Sequence, residues 1–147
     1  MTRDLSPNGL ARVTKLMAGG STALPAAIAR AGISISAAEH GSIILAMRAG
    51  SEHGNPHGTM HAGVTATLLD TAMGYATETT LQEGEDFTTI EFKINFFAAI
   101  PLDDRTLSAT GTVLRRGRRT AVVKASAYDA EGRECAVALG TCMIVSG

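Results

Sequence analysis

One carboxylate stands out in the middle of the chain because apolar and small residues surround it. Asp70 is the only formally charged residue between His61 and Glu78. The segment Ala62–Leu81 lacks proline and is long enough for about five helical turns. A helix of this composition is normally buried on most sides, so we expect Asp70 to be buried and hydrogen-bonded. Such a carboxylate can act as a general base. The structural alternatives are an Asp on an exposed strip of the helix and an Asp that is hydrogen-bonded to a neighbouring loop.

The loop before this helix supplies a second kind of chemical group, the backbone N–H donor. Residues 55–63 are Asn-Pro-His-Gly-Thr-Met-His-Ala-Gly and lead directly into the predicted helix. The first N–H groups of a helix have no partner within it, and its N-terminal end carries a partial positive charge. Both properties suit a developing oxyanion. One end of the helix therefore offers donors, while its middle offers a carboxylate.

Helical geometry limits how these two groups can act together. His61 and Asp70 are nine residues apart, which is about 900° of rotation and roughly 13 Å along the helix axis. They therefore face opposite ways and cannot flank one substrate atom within a single subunit. If both act in one site, two antiparallel helices related by a twofold axis must supply them. Such a dimer would contain two equivalent sites.

The remaining patterns predict the elements that position these groups. Two short helices are expected between Gly9 and Arg30, with Pro25 early in the second, followed by a strand at Ser42–Arg48. After the long helix, apolar and polar residues alternate with period two. Strands separated by short connections form an antiparallel sheet, so the fold class is α+β. The later strands are predicted at Thr89–Phe97, Thr106–Arg115, Ala121–Tyr128 and Glu134–Val145.

Composition restricts the class of protein further. The 147 residues suit a single domain; only 18% are charged, against about 25% in typical soluble domains. The net charge of −1 argues against nucleic-acid or anionic-membrane partners. We expect no signal peptide and no membrane span, because no apolar run is long enough. Low charge leaves little polar surface and favours self-association.

The two cysteines and four histidines suggest neither a disulfide nor a metal site. Cys135 and Cys142 lie seven apart in one predicted strand, so they face opposite sides and should not pair. Two free thiols suit a reducing cytoplasm. His53, His57 and His61 are spaced by four, but glycine and proline between them prevent a helix, and we expect no metal. No nucleophile-elbow serine or phosphate-binding glycine motif occurs.

The loop and the helix together carry two spaced motifs, Asn55-x-x-Gly58-x-x-His61-Ala62-Gly63 and Leu68-x-Asp70-x-Ala72-x-Gly74-x-Ala76. These motifs resemble the signature of the hotdog-fold acyl-CoA thioesterases, and the most similar branch is the phenylacetate-degradation, or PaaI-type, branch. The resemblance extends from about Ile33 to Val145. It implies a hotdog core at 33–147 preceded by a helical segment at 1–32.

The resemblance also implies roles for residues, a central helix wrapped by the sheet, and a homodimer with shared sites that usually forms a tetramer. Asp70 would be the general base or the nucleophile, and Asn55 would position the water or the thioester. His61 would orient the loop and substrate. The backbone N–H of Ala62 or Gly63 would polarise the thioester carbonyl. Alanine replaces the usual glycine at position 62, so the contact requires a helical or extended backbone there.

Further candidates concern substrate binding, and no cofactor is expected beyond the CoA of the substrate. Thr89 aligns with a hydroxyl position that assists the water, and Thr88 is an equal candidate. Phe96 is one of several apolar residues that can line an acyl tunnel, but the acyl group itself stays open between aryl and medium-chain types.

The run Arg115-Arg116-Gly117-Arg118-Arg119 is the densest positive charge. It is either a solvated hairpin tip or a CoA-phosphate site that uses Arg115, Arg116 or Arg118.

Two other functions compete with hydrolysis of an acyl-CoA. A non-catalytic acyl-CoA binding or sensing protein on the same fold would have no use for a buried base at Asp70. A dehydratase or hydratase acting on acyl thioesters would use a histidine with a different partner carboxylate, which fits this sequence less well. Release of free CoA indicates hydrolysis, whereas an enoyl product indicates dehydration.

Overall fold

A computed structural model describes residues 3–146. Two short helices, α1 and α2, precede two strands, a long helix α3 and four further strands; single 3₁₀ turns follow α1 and precede α3. The bounds are α1 Gly9–Ala18, α2 Ala26–Arg30, β1 Ile33–Glu39, β2 Ser42–Arg48, α3 Ala62–Glu78, β3 Glu85–Phe96, β4 Thr106–Arg116, β5 Thr120–Tyr128 and β6 Glu134–Ser146.

The six strands form one antiparallel sheet in the order β1-β2-β4-β5-β6-β3. Helix α3 contacts every strand, so the sheet wraps around it. This architecture confirms the predicted α+β class and the central helix that the resemblance implies. No helix within residues 3–146 is both long and apolar enough to cross a membrane.

The structure adds one strand to the five that the sequence predicted. Ile33–Glu39 is a separate strand, paired with β2 so that Glu39 lies opposite Ser42. A two-residue turn joins them, in which Gly41 has a φ of +77°. Such a backbone angle favours glycine and suits a tight hairpin. The prediction missed this turn because His40-Gly41 lacks the usual Asn or Asp before the glycine.

Helix α3 ends at Glu78, three residues earlier than predicted. The hydroxyl of Thr79 donates to the carbonyl of Ala76, and the hydroxyl of Thr80 donates to the carbonyl of Thr77. These side chains satisfy carbonyls that a further helical turn would otherwise use. The helix is buried on most sides, as predicted.

Close contact between α3 and the sheet depends on small residues. A side-chain carbon on Gly111 of β4 would lie 2.2 Å from the carbonyl oxygen of Ala72. One on Gly140 of β6 would lie 2.7 Å from the Cβ of Phe92 in the neighbouring strand and 3.2 Å from the sulfur of Met73 in the helix. The sheet face towards α3 is otherwise rich in buried alanine, at Ala109, Ala121, Ala125, Ala127, Ala136 and Ala138. The helix can approach the sheet this closely only because these positions carry little or no side chain.

The N-terminal segment is fixed to the core by a buried ion pair. The Arg12 Nε donates to Glu78 at 2.5 Å, and the Glu78 side chain is fully buried. The same guanidinium donates to the carbonyls of Pro7, at 2.6 Å, and Glu85, at 3.0 Å. Several hydrogen bonds on one buried cation give the pair well-defined geometry. Helix α1 is therefore held against the C-terminal end of α3.

Replacement of Gly111 by alanine tests the close contact. We expect Gly111→Ala to lower the free energy of unfolding by about 1–3 kcal/mol, because the added carbon forces α3 away from the sheet. Thr112→Ala is the control, since Thr112 is the exposed neighbour in the same strand. Urea unfolding followed by circular dichroism measures both. Equal stability of Gly111→Ala and the wild type would contradict the packing account.

Candidate functional site

Asp70 lies on the strip of α3 that the sheet leaves uncovered. Thr67 and Thr71 share this strip, and each is at least partly exposed. Asp70 itself is half-buried in the single chain, so the expectation of full burial is wrong for an isolated subunit. The predicted hydrogen bond is present, because the hydroxyl of Thr89 donates to the Asp70 Oδ1 at 3.0 Å. Among the described residues, Oδ2 accepts no hydrogen bond and is available for chemistry.

The choice between the two threonine candidates follows from strand register. Thr89 pairs with Cys142, whose side chain lies on the face towards α3. Thr88 pairs with Met143 and points to the opposite, outer face, where it is exposed. A bulge at Ile90 follows immediately and shifts the register. The structure thus brings Thr89 to Asp70 and places Thr88 away from it.

Cys142 lies next to this pair but does not supply a nucleophile. Its sulfur is 3.9 Å from the Thr89 hydroxyl oxygen. Burial raises the pKa of the Cys142 thiol, so the thiol stays protonated near neutral pH. Cys135 and Cys142 are both buried, and neither is in a disulfide.

At the N-terminus of α3, His61 acts as the helix cap. Its ring Nδ1 accepts a hydrogen bond from the backbone N–H of Gly63 at 2.9 Å, in an extended backbone conformation with φ −63° and ψ 133°. The proton of a neutral ring therefore lies on Nε2. This contact occupies one of the two predicted oxyanion donors, so the Gly63 N–H is not free in this conformation.

Ala62 carries the donor that stays available. Its backbone N–H has no acceptor within residues 3–146, and the residue lines a cavity of about 300 Å³ that also contains Asn55 and Phe96. Ala62 is the first residue of α3 and does not have a positive φ. Alanine therefore fits a position where the resemblance implies glycine, and the condition on its backbone is met.

Asn55 organises the loop that leads to this donor. Its side-chain oxygen accepts from the N–H groups of His57, at 2.9 Å, and Thr59, at 3.2 Å. Its amide nitrogen donates to the Thr59 hydroxyl at 3.0 Å and to the Met60 carbonyl at 3.4 Å. Both amide hydrogens are thus used within the loop. In this conformation Asn55 shapes the cavity and offers no spare donor to a substrate.

The two halves of the candidate site are separate within one chain. Asp70 and Thr89 line a cavity of about 200 Å³. This cavity shares no lining residue with the one that contains Asn55, Ala62 and Phe96. The single subunit therefore does not bring the carboxylate beside the helix N-terminus, in agreement with the half-turn phase difference.

The arginines of the β4–β5 hairpin differ in their surroundings. Arg116 donates to Glu85 at 2.7 Å and is mostly buried, so it braces the hairpin against the start of β3. Arg115 and Arg118 are exposed. Only these two of the predicted phosphate-binding arginines are available for a ligand in this conformation.

Sequence patterns gave no indication of the other wall of the Asp70 cavity. Ile28 of α2, Tyr75 of α3 and Phe87 of β3 line it. These residues come from three distant segments and share no local motif. They are recognised as cavity residues only in the folded chain, where packing of the N-terminal segment brings them close to Asp70.

The capping role of His61 predicts a specific pattern of stability. We expect His61→Ala to lower the free energy of unfolding by about 1 kcal/mol, because the cap is lost, and His61→Asn to retain most of it. Urea unfolding measures both variants. If they lose the same stability, the capping account of His61 is wrong.

Comparison with known proteins supports a family assignment. The model of the "Thioesterase superfamily" matches residues 57–136, which is more than half of the chain. A protein of Saccharolobus solfataricus named "Putative esterase" is 38% identical over 87 residues, covering 59% of this chain and 56% of that relative. The match therefore spans little more than half of the relative's length.

Solved structures share the fold over most of the chain. A thioesterase family protein from Silicibacter pomeroyi is 29% identical with a TM-score of 0.80, covering 91% of this chain and 98% of that one. The PaaI protein of the E. coli phenylacetic acid degradation operon is 23% identical with a TM-score of 0.82, covering 94% and 97%. A hypothetical thioesterase from Streptococcus pneumoniae, solved with coenzyme A, is 25% identical with a TM-score of 0.72, covering 78% and 86%.

These findings agree with the wrapped helix and with the loop and helix motifs. The match to the PaaI protein confirms the resemblance at the level of the fold. The chain belongs to the thioesterase superfamily and has the hotdog fold.

Proposed function

We propose that this protein is an acyl-CoA thioesterase whose active site is assembled from two copies of the chain. The observation that carries the proposal is the oriented carboxylate of Asp70, which is held by Thr89 and has one free oxygen. A binding protein has no need for an oriented carboxylate in a helix whose only other charged residue, Glu78, lies at its C-terminal end in an ion pair with Arg12. The Streptococcus pneumoniae relative solved with coenzyme A supports the choice of thiol.

The chemistry needs a proton acceptor and a donor to the oxyanion. As general base, the Asp70 carboxylate takes a proton from water, and the resulting hydroxide adds to the thioester carbonyl carbon. The carbonyl oxygen gains negative charge and accepts a hydrogen bond from the Ala62 N–H at the positive end of α3. The carbon–sulfur bond then breaks, and the proton passes to the CoA sulfur. The products are a free acid and a thiol.

A covalent route uses the same residues. The Asp70 carboxylate attacks the carbonyl carbon, the carbon–sulfur bond breaks, and CoA leaves as the thiolate, which takes a proton from solvent. Water then hydrolyses the mixed anhydride, which releases the free acid and restores the carboxylate. Mass spectrometry of rapidly quenched protein separates the routes, because the anhydride adds the mass of the acyl group to the peptide that contains Asp70.

The exposed edge of β3 supports assembly from two copies. This 12-residue strand pairs only with β6 among the described strands, and its other edge is unpaired. Ile90 and Phe96 are 53% and 51% exposed, although both are large and apolar. A long edge strand with exposed apolar side chains favours pairing with another chain. A second copy of β3, antiparallel about a twofold axis, satisfies both requirements.

Charge complementarity suggests the register of that pairing. With the axis at Phe92, Glu91 of each copy lies opposite Lys93 of the other, and none of these charges has a partner within the described chain. Thr89 then lies opposite the second copy's Asn95, which is one residue, or roughly 3.4 Å along the strand, from that copy's Phe96. The Asp70 cavity of one copy is thereby brought towards the Ala62 cavity of the other.

Two further features fit this assembly. The exposed Arg115 and Arg118 are the candidates for CoA phosphates, since guanidinium groups bind phosphate through paired N–H donors. A groove of about 480 Å³ on the outer face of β3, β5 and β6, which includes the exposed Leu139, is a candidate contact for a tetramer of two dimers. The two unpaired cysteines suit the cytoplasm as the location.

Substitution of Asp70 tests the proposed chemistry. We expect Asp70→Asn to lower kcat for thiol release from acyl-CoA by a factor of hundreds or more, because the amide cannot accept the proton or attack the carbonyl. Asp104→Asn is the matched control: it makes the same change at an exposed position whose φ of 63° asparagine tolerates.

Measurement of free CoA with a thiol reagent, alongside circular dichroism, follows both variants. Full activity of Asp70→Asn would refute the role of Asp70. An enoyl product without free CoA would indicate a dehydratase. Tight binding of acyl-CoA without any product would indicate a binding protein.

Substitution at the β3 edge tests the assembly. We expect the wild type to sediment as a dimer or larger, and Ile90→Lys to shift towards the monomer and lose most thioesterase activity, because the added charge opposes pairing of the edges. Ile44→Lys places the same charge at a 41% exposed isoleucine on β2 and should change neither property. A fully active monomeric Ile90→Lys would rule out the shared site.

A further inference from the structure

The cavity at Asp70 does not end at the catalytic carboxylate. It adjoins a larger cavity of about 830 Å³ that lies between α3 and the N-terminal helical segment. Ile28, Tyr75 and Phe87 line both cavities and form the junction between them. The larger volume falls within the roughly 300–1,000 Å³ of sites that bind drug-sized ligands.

The walls of the larger cavity are mainly apolar. Leu16, Leu24 and Pro25 of the N-terminal segment face Tyr75 and Phe87, and charged side chains occur at Arg3 and Asp4. Burial raises the pKa of Tyr75 to about 12, so its side chain is neutral across the physiological range. Such mainly apolar walls suit a hydrocarbon chain.

Gly74 keeps the space beside Asp70 open. It lies one helical turn beyond Asp70 and lines the same cavity. A side-chain carbon at this position would lie 3.1 Å from the ring of Phe87. A larger residue would therefore crowd the ring and narrow the route from the carboxylate to the junction.

The N-terminal wall is anchored to the core. Arg12 of α1 is held by Glu78 and by the carbonyls of Pro7 and Glu85. Ile28 of α2 and Leu16 of α1 pack against the main hydrophobic core. The cavity is therefore bounded by an ordered segment that can select among ligands by size.

We infer that the acyl chain of the substrate lies in this channel, and that Ile28 at the junction sets the chain length the enzyme accepts. This inference rests on the proposed thioesterase function. With the thioester carbonyl next to Asp70, the acyl chain extends past Gly74 and Tyr75 beneath the N-terminal segment. The substrate class is a medium-chain, unbranched acyl-CoA, since a short acyl group would leave the larger cavity empty.

Chain-length dependence of hydrolysis is the first test. In the wild type we expect kcat/KM to rise by roughly tenfold for every two methylene groups from butanoyl- to octanoyl-CoA, because each buried methylene is worth about 0.8 kcal/mol. Ile28→Trp narrows the junction, so fewer methylene groups of a long acyl chain can be buried. We therefore expect the ratio of kcat/KM for dodecanoyl-CoA to kcat/KM for butanoyl-CoA to fall by about tenfold or more. Ile28→Ala should raise that ratio. Ile44→Trp is the surface control and should leave it unchanged.

A binding measurement separates this inference from the proposed function. The chain contains no tryptophan, so Ile28→Trp introduces a single fluorophore at the junction. We expect its emission to change on addition of S-dodecyl-CoA, a thioether that cannot be hydrolysed, and to change much less with S-butyl-CoA. The emission of Ile44→Trp should respond to neither.

The outcomes are distinguishable. If the emission of Ile28→Trp changes but the wild type hydrolyses no acyl-CoA, the inference of an acyl-binding channel stands and the proposed thioesterase activity is refuted. Hydrolysis that depends on Asp70, with no emission change and no shift in the chain-length ratio, would overturn the channel and leave the thioesterase. If Ile28→Trp fails to fold, the ratio for Ile28→Ala decides the question.

Discussion

The close contact between α3 and the sheet is the constraint on which the rest of the structure depends. Gly111 leaves space for the carbonyl of Ala72, and a lining of alanines lets the sheet curve around the helix. Because this contact fixes the rotation of α3, it directs Asp70 to the uncovered strip beside Thr89. The same rotation leaves the N–H of Ala62 in a different cavity. Core packing thus determines where each chemical group points.

This constraint explains why one chain can have a fully packed core and yet keep the two parts of the candidate site, the Asp70 carboxylate and the Ala62 donor, in separate cavities. Asp70 and the Ala62 donor are eight residues apart, or about 12 Å along one rigid helix, and no change of side-chain rotamer can bring them together. Pairing of β3 edges offers a route that leaves the core intact. The proposed association would bury Ile90 and Phe96, which are exposed in the single chain, and would connect the low charge of the chain with the proposed catalysis.

The sequence predicted the elements with local signals and failed where tertiary packing decides. The charge-free segment around Asp70 identified α3, and period-two alternation identified β3, since both patterns are local. Thr88 and Thr89 were indistinguishable because their faces depend on register with β6 and on the bulge at Ile90. The sequence left the N–H groups of Ala62 and Gly63 as equal candidates for the oxyanion donor. Only the structure shows that the Gly63 N–H donates to the His61 ring, which leaves the Ala62 N–H available. The N-terminal residues that line the proposed acyl channel have no local sequence signal, because only tertiary packing places them beside α3 and β3.

Complementation between inactive variants tests the shared site most directly. Asp70→Asn removes the carboxylate, and Ala62→Pro removes the donor while keeping a residue that the first helical position favours. Chains of the two variants are unfolded together and refolded, so that random pairing makes half of the dimers mixed. Each mixed dimer has one intact site out of two. Activity should therefore recover to about a quarter of the wild-type value. Recovery to that level is the result this account predicts. A mixture as inactive as its components, although mixed dimers form, would contradict it.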